Sequence, residues 1–548
     1  MYKVNVQNLE LLLRYNEFYG DEITKPDLQT EVSQINVNKA ISIISELIAI
    51  RSEKIRLPKK YFSLSVEIPF EMILKVHLLN LGQSDMLNPL LKKNVHIISL
   101  QMLLNLLKYI LAYGNQNTIC DNKYTITFED YKQIIDLQML ITESFDKQIQ
   151  EFNEGNISHF IYANYHINDK KSNANAIARA YYMFEVVLKH PEVLDNDVQK
   201  EYKDYNSQFE KKYGYTIFDY LCFLFTELEM YCSGPELKFS SLWRNIGQKY
   251  RTTRVLDINK RIIEDLSISP VELHEWAIKN YENMWDFSDF FSKPFFKACD
   301  EYISISDLTI DNALFQNLFW MIRDCYPREE SRCMAFYGRL FEKYVQMLTE
   351  SAITKNSNYS YIPEFTCKSG NKSSDAYFCL GTDLVIIECK GFSTYINTLI
   401  SGSNTDENNN RIFIKPILQA DARFDEIVNN DNKFSSIKRT FIISVTMDNI
   451  NAVPQYYNEI YREVEINRKS LLTKYIYNFN IEEYELLMYL LETQDNVIQL
   501  LETYYDCQVI EPFKSYVLRE YPSEHMQSSY VDSLYKEVTE KVKERLFG

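Results

Sequence analysis

The side chains best suited to catalysis stand at the end of an apolar run, LVIIECK at 384–390. Alternate side chains of a β-strand share a face, so Glu388 and Lys390 would point the same way. A carboxylate and an ammonium at the end of a buried strand are costly unless a further charge compensates them. A divalent cation would compensate them, and the run therefore indicates a metal site.

Asp375, a second carboxylate, begins the preceding apolar segment. The turn residues GTD at 381–383 predict a hairpin that folds the two segments together. We therefore expect carboxylate oxygens of Asp375 and Glu388 to lie within about 6 Å of each other, close enough to share one ion. Two carboxylates suit Mg²⁺, which prefers a few carboxylates and water as ligands. Lys390 would then orient or help deprotonate the attacking water.

The elements around these residues form an α/β island. Hydrophobic periodicity predicts a helix at 331–351, strands at 361–366, 375–380 and 384–390, a helix from 416 to about 428, and a strand at 439–445. The polar stretch SGSNTDENNN at 401–410 predicts an exposed flexible loop before the second helix. The order is helix, three strands, helix, strand.

Asp375, twelve further residues and then Glu388-Cys389-Lys390 resemble the D…E-x-K signature of the PD-(D/E)XK nuclease superfamily. The restriction-endonuclease-like core of that superfamily has the same αβββαβ order. The resemblance implies that Asp375 and Glu388 bind Mg²⁺, or Mn²⁺ as a substitute, with the Cys389 carbonyl as a further ligand. It also implies that Lys390 acts on the attacking water.

Two further positions match the superfamily pattern, Glu342 in GRLFEKYV on the first helix and Gln419 in ILQADARF on the second. The resemblance implies that both support the catalytic site. It covers about 331–448, and Ser374 stands where many members have proline.

Each match also has a structural alternative. Glu388 and Lys390 could be a charge pair on an edge strand, Glu342 could pair with Arg339, and Gln419 with Arg423.

The resemblance implies a metal-dependent nuclease that hydrolyses phosphodiester bonds, with DNA favoured over RNA. A helical domain joined to such a nuclease looks similar to the effectors of bacterial anti-phage defence systems, an analogy of architecture alone. An alternative from another class is a non-catalytic scaffold or interaction protein that retains the nuclease-like fold.

The 548 residues exceed what one hydrophobic core usually supports, and only 13 glycines and 14 prolines favour long helices. The predicted fold class is mainly α with an α/β island. We expect a helical sensor or assembly domain at 1–327, with a possible subdivision near 170. A nuclease-like domain at 328–455 and a helical C-terminal extension at 456–548 would follow.

Several other chemistries are excluded. None of the seven histidines falls in the island, which rules out a histidine–zinc centre or a nucleophile with a histidine base there. No phosphate-binding loop motif is present. The ten cysteines contain no C-x-x-C pair, which suggests a reducing cytoplasmic compartment without structural zinc. The apolar stretch 95–113 is interrupted by polar residues, so we expect a buried helix and no membrane partner.

The formal net charge of -17 means that any phosphate-binding surface has to be local. The residues 331–450 contain equal numbers of acidic and basic side chains, so the acidic excess lies in the helical regions. One basic cluster could follow a nucleic-acid backbone, with the aromatic residues Trp243 and Tyr250 beside its members Arg244, Lys249, Arg251, Arg254, Lys260 and Arg261. The alternative is a solvated surface or contact with the protein's own acidic helices. We expect a protein partner or homo-oligomer to control activity.

Overall fold

The computed structural model describes residues 11–20, 22–52, 95–116, 125–150, 159, 162–163, 167, 172–194, 196–232, 242–391, 394–430, 432–447, 454–506, 511–521 and 526–548. The described chain is mainly helical, with small β-sheets. The possible subdivision near 170 lies outside the described residues. Among the described helices, none combines the length and the apolar character needed to cross a membrane.

The chain forms two compact units, and each combines segments that are distant in sequence. The described residues of the first unit come from Asn156–Phe218 and Leu318–Val542, and those of the second from Val6–Gly155, Asp219–Asn317 and Lys543–Gly548. The predicted boundaries at 327 and 455 instead divide the chain into consecutive stretches. Hydrophobic periodicity reports on each helix separately and carries no information on which helices pack together.

The first unit contains a five-stranded sheet that includes the predicted island. Helix α1 (Arg332–Lys355) precedes strands β1 (Ser360–Pro363), β2 (Ala376–Leu380) and β3 (Asp383–Lys390), and helix α2 (Lys415–Asn430), strands β4 (Arg439–Thr446) and β5 (Thr473–Asn480) and helix α3 (Ile481–Thr493) follow. The strand order is β5-β4-β3-β2-β1. β3, β4 and β5 run parallel, whereas β1, β2 and β3 pair antiparallel.

β3 is the central strand, which explains its apolar character. It lies between β2 and β4, and its segment from Leu384 to Ile387 is fully buried. Alternate residues of the sheet pack against α2 in one apolar core, formed by Tyr377, Leu384, Ile386, Ile442, Ile417, Ala420 and Phe424. α1 packs against β3 and against α3.

Two predictions for this unit are wrong. A strand, β5, lies in the stretch after 455 that the sequence analysis assigned to helices, although its sequence TKYIYNFN is rich in aromatic residues. The 401–410 stretch is not an irregular loop, because it contains the helix Thr405–Asn409. Asn408 is fully buried there, and its amide group donates to the Thr398 hydroxyl (2.5 Å) and the Asn404 carbonyl (3.3 Å).

The other described helices of the first unit precede the sheet in sequence, connect its strands or follow it. They are Asn173–Tyr181, continued by Tyr182–Val186 and Val187–Lys189, and Asn196–Gln199, Tyr205–Tyr213, Leu318–Arg323, Ile396–Ser401, Asn410–Ile414, Pro454–Asn467, Val497–Asp506, Phe513–Glu520 and Ser529–Phe547. The Tyr182–Val186 and Asn410–Ile414 segments have π-helical hydrogen bonding, and the latter leads directly into α2.

The second unit consists mainly of helices and also contains a small sheet. Its helices are Tyr15–Tyr19, Leu28–Ser33, Val37–Arg51, Leu100–Tyr113, Phe128–Gln150, Ile246–Lys249, Leu256–Leu266, Pro270–Asn280, Ser288–Ser292 and Asp307–Asn312, and Ile217–Cys232 begins at the border of the two units. The hairpin Phe295–Ala298 and Glu301–Ser304 pairs with two short strands, which the expected all-helical pattern missed. Cys299 at the hairpin turn is disulfide-bonded, which departs from the reducing compartment that the cysteine spacing suggested.

Candidate active site

Asp375 and Glu388 meet at one end of the β2–β3 hairpin. The register pairs Ala376 with Ile387, and one further step places Asp375 opposite Glu388. Directly opposed residues of an antiparallel pair share a face, with Cβ atoms about 5 Å apart. The Asp375 Oδ2 accepts a hydrogen bond of 2.6 Å from the backbone N–H of Cys389, which fixes this carboxylate on the E-C-K triplet.

Lys390 forms an ion pair with Glu388, with 3.0 Å between Nζ and Oε1. Both side chains are largely buried. The pair therefore exists as the structural alternative requires, but β3 is the central strand and not an edge strand. Burying a charge pair at the end of a central strand costs desolvation free energy. Its presence there therefore suggests a function besides stabilising the fold.

Glu342 joins this group from α1. Its Oε2 accepts a hydrogen bond of 2.7 Å from Arg339 Nη1, as the alternative of a helix ion pair predicted. It also interacts electrostatically with Asp375 and Glu388, which places it near the residues of the catalytic interpretation. The two interpretations of Glu342 are thus compatible.

A fourth carboxylate, Glu364, was missed by the sequence analysis. The register pairs Pro363 with Ala376, so one further step places Glu364 opposite Asp375. Its Oε2 lies 2.9 Å from Lys372 Nζ, and its charge acts on Asp375 and Glu342. Glu364, Asp375 and Glu388 thus form an acidic row across three neighbouring strands. In the sequence, Glu364 is a carboxylate within the predicted strand 361–366, and its place beside Asp375 follows only from the register of the two strands.

Two buried hydroxyls flank Glu388. Ser374 precedes Asp375, and Ser444 of β4 pairs with Glu388 in the parallel register. Both residues are almost fully buried, and neither Oγ makes a regular hydrogen bond within the described residues. The Ser374 hydroxyl lies near enough to Glu388 to lower the pKa of that carboxyl. The two hydroxyls add buried polar groups to this end of the sheet, where buried polar atoms normally have hydrogen-bond partners.

Burial sets the electrostatics of the site. Burial raises the pKa of Asp375, and the neighbouring Glu388 carboxylate raises it further. Burial also raises the pKa of Glu388, against the opposing effect of Lys390. For Glu342, burial and Asp375 raise the pKa to about 7, although Arg339 opposes the shift. The carboxyl groups therefore bind protons more readily than free side chains do.

Lys390 stays protonated at neutral pH. Burial lowers the pKa of its ammonium, but Glu388, Asp375 and Glu342 more than offset this effect, and the pKa is raised. A charged ammonium can orient water and stabilise negative charge, whereas it cannot accept a proton. The surroundings of Lys390 thus favour an electrostatic role over that of a general base.

A contact between two glycines brings α1 to the end of β3. A Cβ atom added to Gly391 would lie 3.2 Å from the Gly338 Cα and 3.4 Å from the Phe341 Cβ. Gly338 stands one helical turn before Glu342, so this close approach carries Glu342 to the acidic row. A second tie is the hydrogen bond of 3.0 Å from Gln346 Nε2 to the Asp375 carbonyl, which the sequence analysis also missed.

We expect Gly391→Ala to destabilise the fold by about 1 kcal/mol or more, because the backbone of α1 has to move away from β3. Gly338→Ala is the matched control. Its Cβ would meet nothing within 4 Å, so the higher helix propensity of alanine should stabilise α1 by about 0.5–1 kcal/mol. Denaturant unfolding of both variants measures the difference, and equal stability of Gly391→Ala and wild type would contradict the argument.

Gln419 does not join the acidic row. It is exposed on α2, and among the described residues it makes no hydrogen bond to the acidic row or to Lys390. Nor does it pair with Arg423, which donates instead to the Lys372 carbonyl. Its role in the site stays a prediction, as does that of the Cys389 carbonyl as a metal ligand.

The basic cluster at 244–261 divides into an internal and an exposed part. Arg244 Nη1 and Lys249 Nζ lie 2.8 and 2.6 Å from the oxygens of the fully buried Glu227, and the hydroxyls of Tyr250 and Tyr302 also donate to it. Burial would raise the pKa of Glu227, but the two cations outweigh it and lower the pKa to about 2. Arg244 and Lys249 thus neutralise this glutamate, which is the predicted alternative of contact with the protein's own acidic helices, and their role in nucleic-acid binding stays a prediction.

The remaining four basic residues of the cluster, Arg251, Arg254, Lys260 and Arg261, are exposed, and their role in nucleic-acid binding stays a prediction.

The described part of the chain contains no group of three or more His, Cys, Asp or Glu side chains arranged to hold a metal ion. In the acidic row, Glu364 and Glu388 are each paired with a lysine. The oxygen donors and the two buried hydroxyls nevertheless fit a hard cation such as Mg²⁺ once these ion pairs open.

Comparison of the chain with protein-family models, with curated proteins and with solved structures finds no match.

Proposed function

We propose that this chain is a metal-dependent nuclease with a restriction-endonuclease-like core at 331–448. One observation carries the proposal: Asp375 and Glu388 lie opposite each other on neighbouring strands, with Lys390 paired to Glu388 and Glu342 close by. The order α1, β1, β2, β3, α2, β4 supports the same core. Buried, interacting carboxyl groups with raised pKa values are typical of functional sites.

Asp375 and Glu388 would hold Mg²⁺ or Mn²⁺, with the Cys389 carbonyl as a further ligand. The cation would supply Lewis-acid polarisation of a phosphodiester and activation of water. The protonated Lys390 would orient that water and stabilise the negative charge that develops on the phosphate. Glu342, whose pKa is about 7, can take up a proton close to the reacting groups at neutral pH.

The proposed substrate is nucleic acid, with DNA favoured over RNA. By analogy of architecture, the helical parts would sense a trigger in bacterial anti-phage defence, and a protein partner or homo-oligomerisation would control cleavage. We expect the isolated protein to be weakly active. Vigorous cleavage by purified monomer at physiological salt would contradict this regulatory part.

A non-catalytic scaffold is the second candidate. The observation that favours it is the pairing of Glu388 with Lys390 and of Glu364 with Lys372, which satisfies these charges without a ligand. The two candidates differ in what the removal of Asp375 does. A scaffold would lose stability or partner binding, whereas a nuclease would lose cleavage.

The test compares wild type and Asp375→Ala on plasmid, linear duplex, single-stranded DNA and RNA, with Mg²⁺ or Mn²⁺. We expect metal-dependent cleavage by wild type and its loss in the variant. Asp383→Asn is the matched control, since Asp383 lies at the opposite end of β3 and pairs with Arg439 at 2.7 Å. Absence of cleavage by wild type with every substrate and metal, alone and as an oligomer, would contradict the proposal.

A further inference from the structure

Three cations surround the acidic groups of the site, and each pairs with a different carboxylate of the site. The pairs and their nitrogen–oxygen distances are Arg339–Glu342 at 2.7 Å, Lys372–Glu364 at 2.9 Å and Lys390–Glu388 at 3.0 Å. Only Lys390 has a role in the proposed chemistry. The two others come from α1 and from the segment between β1 and β2, and nothing in the proposed reaction uses them.

In each pair the cation is the more exposed partner. The exposed side-chain fractions of cation and carboxylate are 28% and 23% for Arg339–Glu342, 34% and 10% for Lys372–Glu364, and 19% and 4% for Lys390–Glu388. The carboxylates thus form the floor of the site, and the cations form its solvent-facing side. A polyanion that approaches from solvent meets the cations first.

If Arg339 and Lys372 released their carboxylate partners, other hydrogen bonds would still hold both residues near the site. The Arg339 Nε also donates to Glu201 at 3.2 Å, and its guanidinium has further N–H groups. Arg423 donates to the Lys372 carbonyl, which ties the backbone of that residue to α2. Each cation would therefore stay near the site after its carboxylate had turned away.

We propose that Arg339 and Lys372 form a phosphate-binding rim that exchanges Glu342 and Glu364 for nucleic-acid phosphates when these carboxylates turn to a divalent cation. The proposal rests on the proposed nuclease function and deepens it. It explains why the acidic row is not arranged to hold a metal ion while its ion pairs are closed. It also couples the two binding events, because each would release the partner of the other.

The charge of the chain supports a local rim. With a net charge of -17, the protein as a whole repels a polyanion, so phosphate binding depends on a few well-placed cations. While Arg339 and Lys372 neutralise Glu342 and Glu364, they contribute little to that attraction. Nucleic-acid binding should therefore require a divalent cation.

The experiment measures binding of a 20-base-pair DNA duplex to the full-length chain in Ca²⁺ and in EDTA, with a gel to confirm that the duplex stays intact. In Ca²⁺, Arg339→Gln and Lys372→Gln should each reduce the slope of log affinity against log salt by about 0.9, the value for one lost phosphate contact. Arg439→Gln is the matched control, since it removes an equally paired cation at the other end of the sheet and should leave the slope unchanged. Lys372→Arg should keep it.

The controls separate the rim from the fold and from the nuclease assignment. If Arg339→Gln lowers the melting temperature, the double variant Arg339→Gln/Glu342→Gln removes both charges of the pair and should show the same loss of slope. Wild-type slopes in the rim variants, or equal wild-type affinity in Ca²⁺ and EDTA, would overturn the rim while leaving the nuclease proposal intact. If wild type neither binds nor cuts DNA or RNA in any metal, the nuclease proposal fails and the rim fails with it.

Discussion

Lys390→Ala should reduce the cleavage rate by a factor on the order of 10² or more. In the proposed mechanism its ammonium interacts with charge that develops in the transition state, and such interactions contribute effects of this size. The raised pKa of Lys390 means that the wild-type group carries this charge throughout the neutral range. Metal affinity should be retained or increased, since the variant removes a cation that competes for Glu388.

The same substitution also has a defined effect on stability. Without metal, Lys390→Ala leaves the buried Glu388 without its partner at 3.0 Å, which should cost about 1–3 kcal/mol. Mg²⁺ bound by Glu388 would restore the balance, so the difference in melting temperature from wild type should shrink when Mg²⁺ is added.

Cleavage rate, Mg²⁺ affinity and melting temperature should be measured on one preparation. Lys438→Ala is the control, because this exposed lysine precedes β4 at the far end of the sheet. A purely structural Lys390 would give a melting temperature that Mg²⁺ does not restore, and a rate that falls only with the folded fraction.

The pairing of Asp375 with Glu388 could be predicted from the sequence because it depends on local patterns. The apolar run of β3 and the turn at 381–383 together predict a hairpin, and a hairpin brings Asp375 to Glu388. Glu364 could not be found in this way. Its place beside Asp375 depends on the β1–β2 register, and a loop that contains Lys372 separates those strands.

The other differences between the predicted and the observed structure come from contacts between residues that are distant in sequence. β5 pairs with β4, from which a helix separates it in sequence. Its strand conformation is therefore stabilised by a partner that the periodicity of its own sequence does not reveal. Arg244 and Lys249 look like a basic surface in the sequence, but Glu227 on a preceding helix turns them inward. Asn408 lies in a polar stretch typical of loops, yet its hydrogen bonds to 398 and 404 order that stretch.

The pH dependence of the site gives a second large effect. Metal binding requires deprotonated carboxylates, and the pKa of Glu342 is about 7 because of burial and the Asp375 charge. The pKa of Asp375, a proposed ligand, is also raised, to about 8, so the apparent affinity for Mg²⁺ should fall by about tenfold or more for each pH unit below pH 7 as protons compete with the ion. Titration calorimetry in buffers of different ionisation enthalpy should show protons released on Mg²⁺ binding at pH 6.5.

The stability of the metal-free protein should fall as the pH rises, whereas its affinity for Mg²⁺ should increase. A carboxyl group whose pKa is raised from 4.5 to about 7 binds more protons in the folded state than in the unfolded state between these values. The stability that this proton uptake contributes is present at low pH and is lost as the pH rises through 7. In EDTA the melting temperature should thus fall from pH 6 to pH 8, and Mg²⁺ should recover it at pH 8.

Glu342→Gln identifies the group responsible, because glutamine has nearly the same shape and does not titrate. The variant should flatten the pH dependence of both Mg²⁺ affinity and melting temperature near pH 7. Residual slope would come from Asp375 and Glu388, whose pKa values are also raised. Glu350→Gln is the matched control, since Glu350 is an exposed residue on the same helix and should leave both profiles as in wild type. If Glu342→Gln kept the wild-type profiles, the electrostatic link between α1 and the acidic row would be wrong, and Glu342 would be only a partner of Arg339.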